Sequence, residues 1–332
     1  FRSGLLTSPR TPIVYTGAND GMLHGFRASD GQEALAYIPN FVYSSDPSAG
    51  LHYLTDPKYS HQYYVDLAPT ISDVYIDITG STSPDWNTIL IGGGRAGGRG
   101  LFALDITDPN NFLESKADEI ALWEFTHPDL GYTYSKPSIV RLANGKWAAI
   151  FGNGYNDTGT TGEAKLFILY LDGGLDGTWT LGTDYQVIST GVGSTATPNG
   201  LATPAIVDIN GDGLSDRAYA GDLQGNLWVF DLTSSPATVV NSNPLFTAKD
   251  AIGNPQPITS KPILAFHPTE SSSSNDPNLL VFFGTGQYLQ LDDLSNTSTQ
   301  SFYGVWDDGS SSNLVRGDLV EQTITEPDLF DS

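Results

Sequence analysis

The sequence Arg217-Ala-Tyr-Ala-Gly-Asp-Leu-Gln-Gly-Asn-Leu-Trp-Val-Phe-Asp231 contains an apolar segment, a glycine turn and a second apolar segment. β-Branched and aromatic residues on both sides of Gly, Asp and Asn predict two strands joined as a hairpin. The pattern returns four more times, so one hairpin unit organises the whole chain. The other copies span residues 13–26, 89–105, 149–172 and, more loosely, 280–306.

A proline opens a short apolar segment at regular intervals along the chain. These prolines are 57 to 68 residues apart, and proline at the start of a strand costs no ladder hydrogen bond. The pattern therefore predicts one further strand in each repeat. The prolines are Pro12, Pro69, Pro137, Pro204 and Pro262.

Repeated units of three or four strands that stack radially are typical of β-propellers. We predict an all-β fold, a modified β-propeller that forms a single domain over residues 1–332. At about 47 residues a blade, the length leaves room for about seven blades. Short helical insertions are expected at 46–59 and 111–120. The alternative is a β-sandwich or barrel, which the regular cycle of proline strand and glycine hairpin disfavours.

Composition excludes several functional classes. The 332 residues include 38 acidic and 15 basic ones, so the formal net charge is −23. A surface this acidic repels phosphate backbones and anionic lipid headgroups, so we expect no nucleic-acid partner. No apolar run reaches the ~18 residues of a membrane span, which predicts no direct membrane insertion. The lack of cysteine excludes disulfide scaffolds, thiolate metal sites and cysteine nucleophiles.

The clearest chemical motif is the loop at 208–216, Asp-Ile-Asn-Gly-Asp-Gly-Leu-Ser-Asp. Calcium prefers six to eight oxygen ligands from carboxylates, amides, carbonyls and water. Alternate residues of a tight loop point inward, and glycine at the sixth position permits the sharp turn. The motif therefore predicts a Ca²⁺ site. Its ligands would be the side chains of Asp208, Asn210, Asp212 and Asp216 and the backbone carbonyl of Leu214.

The first half of this loop matches an EF-hand, but the second half does not. The twelfth position holds Tyr219 rather than Glu, and the flanking segments are predicted strands. Asp216 is therefore expected to close the site. The alternative is an Asx-rich hairpin turn without an ion, because Asp, Asn and Gly favour turns in any case.

Two other motifs have simpler explanations. Residues 92–97 satisfy the spacing G-x-G-x-x-G, but a predicted strand follows where a dinucleotide site requires a helix. Arg316-Gly317-Asp318 is an integrin-type tripeptide, yet it precedes residues 319–324, which are predicted to be an ordinary strand. We expect turn residues in the first case and leave adhesive use open in the second.

Several longer blocks resemble a known family. In their order along the chain, they are similar to the C-terminal domain of the PilY/PilC family of type IV pilus biogenesis factors. The block at 14–26 is also similar to the repeat of quinoprotein-type propellers. The blocks lie at 59–66, 97–109, 123–125, 129–135, 145–155 and 220–228.

The resemblance implies a modified propeller at the C-terminus of a larger exported protein. Such a protein would reside at the cell surface, the pilus tip or the outer membrane. It implies Ca²⁺-dependent control of pilus extension and retraction, and hence of twitching motility and adhesion. Its partners would be major and minor pilins and a host cell-surface receptor. The implied calcium ligands map onto Asp208, Asn210, Asp212, the Leu214 carbonyl and Asp216, with Asn210 at a position where Asp is common.

The function expected from the sequence is therefore a non-enzymatic, calcium-binding pilus domain. One alternative is a quinoprotein-like dehydrogenase propeller, which the lack of cysteine disfavours. The other is a calcium-dependent carbohydrate-binding propeller.

Overall fold

The computed structural model describes residues 10–155, 159, 161–273 and 275–322. Within them the chain forms five sheets, which follow one another in sequence order and are predominantly antiparallel. Neighbouring strands along the chain are neighbours in each of the first three sheets, as in a β-meander. Sheet 1 contains β1 (Ile13–Gly17), β2 (Leu23–Arg27) and β3 (Glu33–Tyr37). Sheet 2 contains β4 (Thr70–Ile76), β5 (Asp85–Gly93), β6 (Leu101–Asp105) and β7 (Ala121–Phe125).

The later sheets repeat this order with one variation. Sheet 3 contains β8 (Ser138–Arg141), β9 (Trp147–Gly152), β10 (Glu163–Tyr170) and β11 (Tyr185–Gly193). Sheet 4 contains β12 (Ala205–Val207), β13 (Arg217–Gly221), β14 (Asn226–Asp231), β15 (Thr238–Val239) and β16 (Phe246–Thr247). Sheet 5 contains β17 (Ile263–Phe266), β18 (Leu279–Gly284) and β19 (Phe302–Asp307). The last strand, β20 (Leu314–Val315), returns to sheet 4, where it pairs in parallel with β16.

The expectation of about seven blades is wrong for the described residues, which form five sheets. That number was obtained by dividing the chain length by a typical blade length. Several connections between strands in this chain are long, so the division overestimates the number of blades. Residues 38–69, for example, join β3 to β4 and contain two short 3₁₀ helices but no strand. Long connections use up the length that two further blades would need.

Helices are few and short, as predicted. The expected helix at 46–59 is reduced to the 3₁₀ helix Leu51–Thr55, because Pro47, Gly50 and Pro57 interrupt the segment. The expected helical turn at 111–120 is confirmed as the 3₁₀ helix Glu114–Lys116 and α1 (Ala117–Ile120). Gly94 and Gly97 lie in the turn from β5 to β6, which confirms their interpretation as turn residues, whereas Gly92 and Gly93 are the last two residues of β5, so that interpretation is wrong for them.

The hydrophobic core is divided among the sheets. Four clusters of buried side chains lie between consecutive sheets: 1 and 2, 2 and 3, 3 and 4, and 4 and 5. Each sheet between two others therefore packs on both of its faces. This explains why β13, β9 after Trp147 and β5 from Asn87 onward are buried at every residue rather than at alternate ones.

Pro69, Pro137, Pro204 and Pro262 each precede the first strand of sheets 2 to 5 by one residue, as the sequence predicts. Pro12 differs, because it precedes β1, and β1 begins the hairpin motif that in the other sheets begins with the second strand. Sheet 1 thus contains the second, third and fourth strand positions, and among the described residues it has no first strand.

In every sheet, the first strand of the hairpin motif ends on a glycine, and we call these residues the closing glycines. Three of them touch the segment that enters the next sheet, three or four residues before its proline. A Cβ atom there would collide with that segment, so only glycine allows the approach. An ideal Cβ built on Gly17 would lie 2.1 Å from the carbonyl oxygen of Val65. The same distance would be 2.3 Å from Gly152 to the carbonyl oxygen of Leu201 and 2.2 Å from Gly221 to Cγ2 of Ile258.

The turn that follows β13 is held by a buried carboxylate, Asp222, which has no exposed surface. Its Oδ1 accepts hydrogen bonds from the backbone amides of Gln224 (2.9 Å) and Asn226 (2.8 Å). Its Oδ2 accepts from Nδ2 of Asn199, Nδ2 of Asn226 and Nε1 of Trp228, at 2.8 to 2.9 Å. Burial raises the pKa of Asp222, while these donors act in the opposite direction.

We expect Asp222→Asn to destabilise the fold by roughly 2–3 kcal/mol, because the amide places an N–H group against buried donors. The matched control is Asp250→Asn. Asp250 forms the same kind of turn, accepting from the amides of Ile252 and Asn254, but at a partly exposed site. Urea denaturation of both variants tests this, and equal midpoints would show that the buried carboxylate has no special role.

Candidate metal-binding loop

The loop at 208–216 connects β12 to β13, the first two strands of sheet 4. Val207 pairs with Arg217, and the amide of Asp216 donates to the carbonyl of Val207 (2.9 Å), so the loop is closed by the sheet itself. Gly211 and Gly213 have φ angles of +77° and +84°, which favour glycine. The position of the loop between two strands agrees with the sequence prediction.

The side chains of the loop accept hydrogen bonds from its own amides. Asp208 accepts from Gly211 and from Gly213 through its two carboxylate oxygens, both at 2.7 Å. Asn210 accepts from the amide of Asp212 (2.9 Å), and Asp212 accepts from that of Leu214 (2.8 Å). These bonds turn the three side chains back onto the loop.

Asp216 differs from the other acidic residues of the loop because it is buried, with 4% of its surface exposed. Its Oδ2 accepts from the amide of Ile209 (2.7 Å), and its carbonyl accepts from the amide of Leu232 in the neighbouring strand connection (2.9 Å). Asp216 therefore anchors the end of the loop to its beginning and to sheet 4.

The donor set fits a hard cation. Every side chain predicted as a ligand offers oxygen, and each oxygen that accepts one amide hydrogen retains a second lone pair. Within the described part of the chain, however, no three His, Cys, Asp or Glu side chains form a group that could hold a metal ion. A site here depends on the Asn210 amide and the Leu214 carbonyl as well as on the carboxylates. The calcium ligands thus stay a prediction.

A buried ion pair follows the loop directly, and no pattern in the sequence indicates it. Arg217 donates through Nη1 to Oδ2 of Asp307 in β19 (3.0 Å), and the hydroxyl of Tyr219 donates to the same oxygen (2.6 Å). Burial and the charge of Asp307 raise the pKa of Tyr219, so its hydroxyl stays protonated. Because 90 residues separate Arg217 from Asp307, only the fold reveals the pair.

The loop is also tied to sheet 3. The amide of Ser215 donates to the carbonyl of Arg141, the last residue of β8, at 2.9 Å. The loop and the residue after it therefore contact three consecutive sheets.

The tripeptide Arg316-Gly317-Asp318 forms a 3₁₀ helix, and residues 319–322 are not a strand, so that expectation is wrong for them. Residues 323 and 324 lie outside the described residues. The guanidinium of Arg316 donates to the hydroxyl of Tyr303 and to Ser301, and Asp318 accepts from the amide of Val315 (2.9 Å). Both charged side chains therefore form hydrogen bonds within the domain.

No helix in the described part of the chain is long and apolar enough to cross a membrane.

Comparison with known proteins identifies the family. The family model described as the PilY1 beta-propeller domain matches residues 5–330. The chain belongs to the PilY1 β-propeller family. This assignment confirms both the predicted family and the predicted propeller fold, whereas the predicted number of blades is not confirmed.

Two curated relatives share this domain. The chain is 41% identical over 350 residues to the type IV pilus biogenesis factor PilY1 of Pseudomonas aeruginosa strain PAO1, covering 95% of the chain and 27% of that protein. It is 40% identical over 335 residues to a PilY1 homolog of Xylella fastidiosa, covering 95% of the chain and 20% of that protein. The chain thus spans about a quarter of the length of these PilY1 proteins.

A solved structure supports the same assignment. The crystal structure of the PilY1 C-terminal domain of P. aeruginosa aligns with a TM-score of 0.72 at 38% sequence identity. The alignment covers 95% of this chain and 62% of the crystallised one.

We expect Asp307→Asn to lower the free energy of unfolding by about 3 kcal/mol, because it removes the carboxylate from a buried charged pair. Asp308→Asn is the matched control, since the adjacent Asp308 caps a turn at a partly exposed position by accepting from Ser310 and Ser311. Denaturation by guanidinium chloride compares the two. A smaller loss for Asp307→Asn than for Asp308→Asn would contradict the importance of the pair.

Proposed function

We propose that this propeller is a non-enzymatic, calcium-binding domain of a type IV pilus biogenesis factor. Membership of the PilY1 β-propeller family supports the pilus role, since the curated relatives are named as pilus biogenesis factors. The observation that carries the calcium proposal is the loop at 208–216, which places five oxygen-bearing groups between two strands of sheet 4.

In this proposal Asp208, Asn210, Asp212, the Leu214 carbonyl and Asp216 bind the ion. Bound Ca²⁺ would supply two positive charges, which offset most of the negative charge of the three carboxylates. The chain's own contribution is to hold the loop at its ends, through the Asp216–Ile209 hydrogen bond and the pairing of Val207 with Arg217. Because Ser215 of the loop contacts sheet 3 and the adjoining Arg217 contacts sheet 5, binding would stabilise the packing of three sheets together.

We further propose that this stabilisation controls whether the pilus extends or retracts. The domain would be exported, reside at the cell surface, the pilus tip or the outer membrane, and contact major and minor pilins. Adhesion to a host receptor and twitching motility would follow from that position. Arg316-Gly317-Asp318 is not part of this proposal, because its charged side chains bind within the domain.

An aromatic cavity gives the carbohydrate-binding alternative its one supporting observation. Tyr43, Tyr63, Tyr132 and Arg99 contribute to the lining of a cavity of about 890 Å³. None of the residues 208–216 lines this cavity, so nothing links it to calcium. A glycan array probed with and without chelator distinguishes the alternatives, and calcium-dependent sugar binding would favour the carbohydrate function.

We expect Ca²⁺ to stabilise the protein by mass action, by about 2.7 kcal/mol at a hundredfold excess over Kd. Asp212→Asn keeps the oxygen that accepts from Leu214 but removes one charge, so we expect it to weaken Ca²⁺ binding by roughly tenfold. Isothermal titration calorimetry measures the affinities, with Asp250→Asn as a matched turn variant of unchanged affinity, and denaturation with and without Ca²⁺ measures the stabilisation. Equal affinities for all three proteins would refute the ligand assignment.

In the natural-length protein we expect Asp208→Asn with Asp212→Asn to reduce surface pili while retraction is active. The pili should return when retraction is disabled, because assembly itself does not require the ion in this proposal. Counting sheared surface pili in both backgrounds, with Asp250→Asn as control, is the measurement. Unchanged pili in both backgrounds, or pili lost in both, would contradict calcium-dependent control of retraction.

A further inference from the structure

The last strand of sheet 3, β11, has an open hydrogen-bonding edge. The amide of Tyr170 donates to the carbonyl of Asp184 (2.9 Å), and hydrogen bonding alternates along an antiparallel pair. The register of β10 and β11 therefore directs the backbone N–H and C=O groups of Val187 and Ser189 away from β10. Within the described residues, no backbone hydrogen bond uses these outward groups.

The outer edges of the two neighbouring sheets are covered. In β7, the last strand of sheet 2, the carbonyl of Glu124 accepts from Nε1 of Trp179 (2.8 Å), and its side chain accepts from the hydroxyl of Tyr37 (2.6 Å). In sheet 4, β20 pairs with β16 as an added outer strand from a distant part of the sequence. The described part of sheet 3 has no such strand beyond β11.

The composition of β11 leaves this edge unprotected. Charged side chains and proline normally prevent an exposed edge strand from pairing with another chain. The nine residues Tyr185–Gly193 include neither, although 16% of the whole chain is charged. An extended peptide can add to an edge of this kind as a further strand.

A groove of about 830 Å³ runs beside the same edge, between sheets 3 and 4. Residues 186–191 and 236–239 form most of its lining. Gln186, which is buried, accepts from the amide of Ala237 (3.0 Å) and donates through Nε2 to the hydroxyl of Tyr170. These bonds hold the two sides of the groove in place before any ligand binds, which lowers the entropic cost of binding.

The charge of the groove indicates what kind of segment fits it. The described residues that line it include the carboxylate of Glu163 and no basic side chain. We propose that an extended segment of a partner protein binds here as an additional strand on β11, with apolar residues at alternate positions and a basic residue beside Glu163. Its backbone pairs with the outward groups of Val187 and Ser189, and its apolar side chains contact Leu181 and Val239.

A second copy of the chain fits the groove less well. Each copy has a formal net charge of −23, and pairing two β11 edges would bring two such chains and their Glu163 side chains together. Like charges this numerous oppose self-association, so a partner with a basic segment is favoured.

The natural-length polypeptide is the protein to test, and the probe is a displayed library of peptides of about ten residues, the upper length of a typical strand. Selection should enrich peptides that alternate apolar residues and carry Lys or Arg. Ser189→Pro should weaken their binding at least about tenfold, because it removes an outward amide at no cost to the sheet. Enrichment of no peptide, or of acidic peptides alone, would overturn the proposal.

Ser189→Ala is the matched control. It removes the same hydroxyl contacts to Glu163 (2.7 Å) and to the amide of Gly191 (3.0 Å), but it keeps the outward amide of residue 189. Fluorescence anisotropy with a selected peptide compares the two variants. Equal losses of affinity would contradict pairing through the backbone.

A modified peptide makes the test independent of how well Ser189→Pro folds. N-methylation of the peptide amides that face β11 should abolish binding to the unsubstituted protein. N-methylation of the alternate amides should leave the affinity within about twofold, because those amides face away from β11. Equal effects of the two modifications would contradict strand addition.

Hydrogen exchange of the natural-length polypeptide without peptide tests for the other occupants. The amides of Val187 and Ser189 should exchange rapidly at every protein concentration and slow when a selected peptide is added. Protection without peptide at every concentration would show that the edge is covered by the same polypeptide. Protection that appears only as concentration rises would show a second copy, and either result would overturn the proposal.

Discussion

Packing between consecutive sheets is the constraint on which the rest of this structure depends. Each sheet has too few strands to form a core alone, so its apolar faces must be buried against its neighbours. Four clusters of buried side chains meet this need between the five sheets. The closing glycines bring the next sheet close enough, since a side chain at Gly17, Gly152 or Gly221 would hold the entering segment away.

The candidate calcium loop takes its importance from the same packing. It begins and ends on strands of sheet 4, its Ser215 amide contacts sheet 3, and the adjoining Arg217 reaches Asp307 in sheet 5. An ion bound at 208–216 would therefore act where three sheets meet rather than on an isolated turn. This placement gives a physical route from a surface loop to the stability of the propeller, and so to the proposed control of the pilus.

The sequence predicted the parts of this fold that depend on local pattern. The hairpins around the closing glycines, the strand after Pro204 and the position of the 208–216 loop all follow from residue type and spacing. The blade number did not follow, because long connections such as 38–69 carry no periodic signal. The Arg217–Asp307 pair was also beyond prediction, since it joins residues that only the packing of sheets 4 and 5 brings together.

In the proposed function, Ca²⁺ binds at 208–216 and stabilises the contacts of sheet 4 with its neighbours. Amide hydrogen exchange with and without Ca²⁺, followed by mass spectrometry, tests it most directly. We predict slower exchange in peptides that cover 208–217, in β8 around Arg141 and in β19 around Asp307, with little change in sheet 1. Exchange that is unaffected by Ca²⁺ in the 208–217 peptides, or slowed only elsewhere in the chain, would contradict the account.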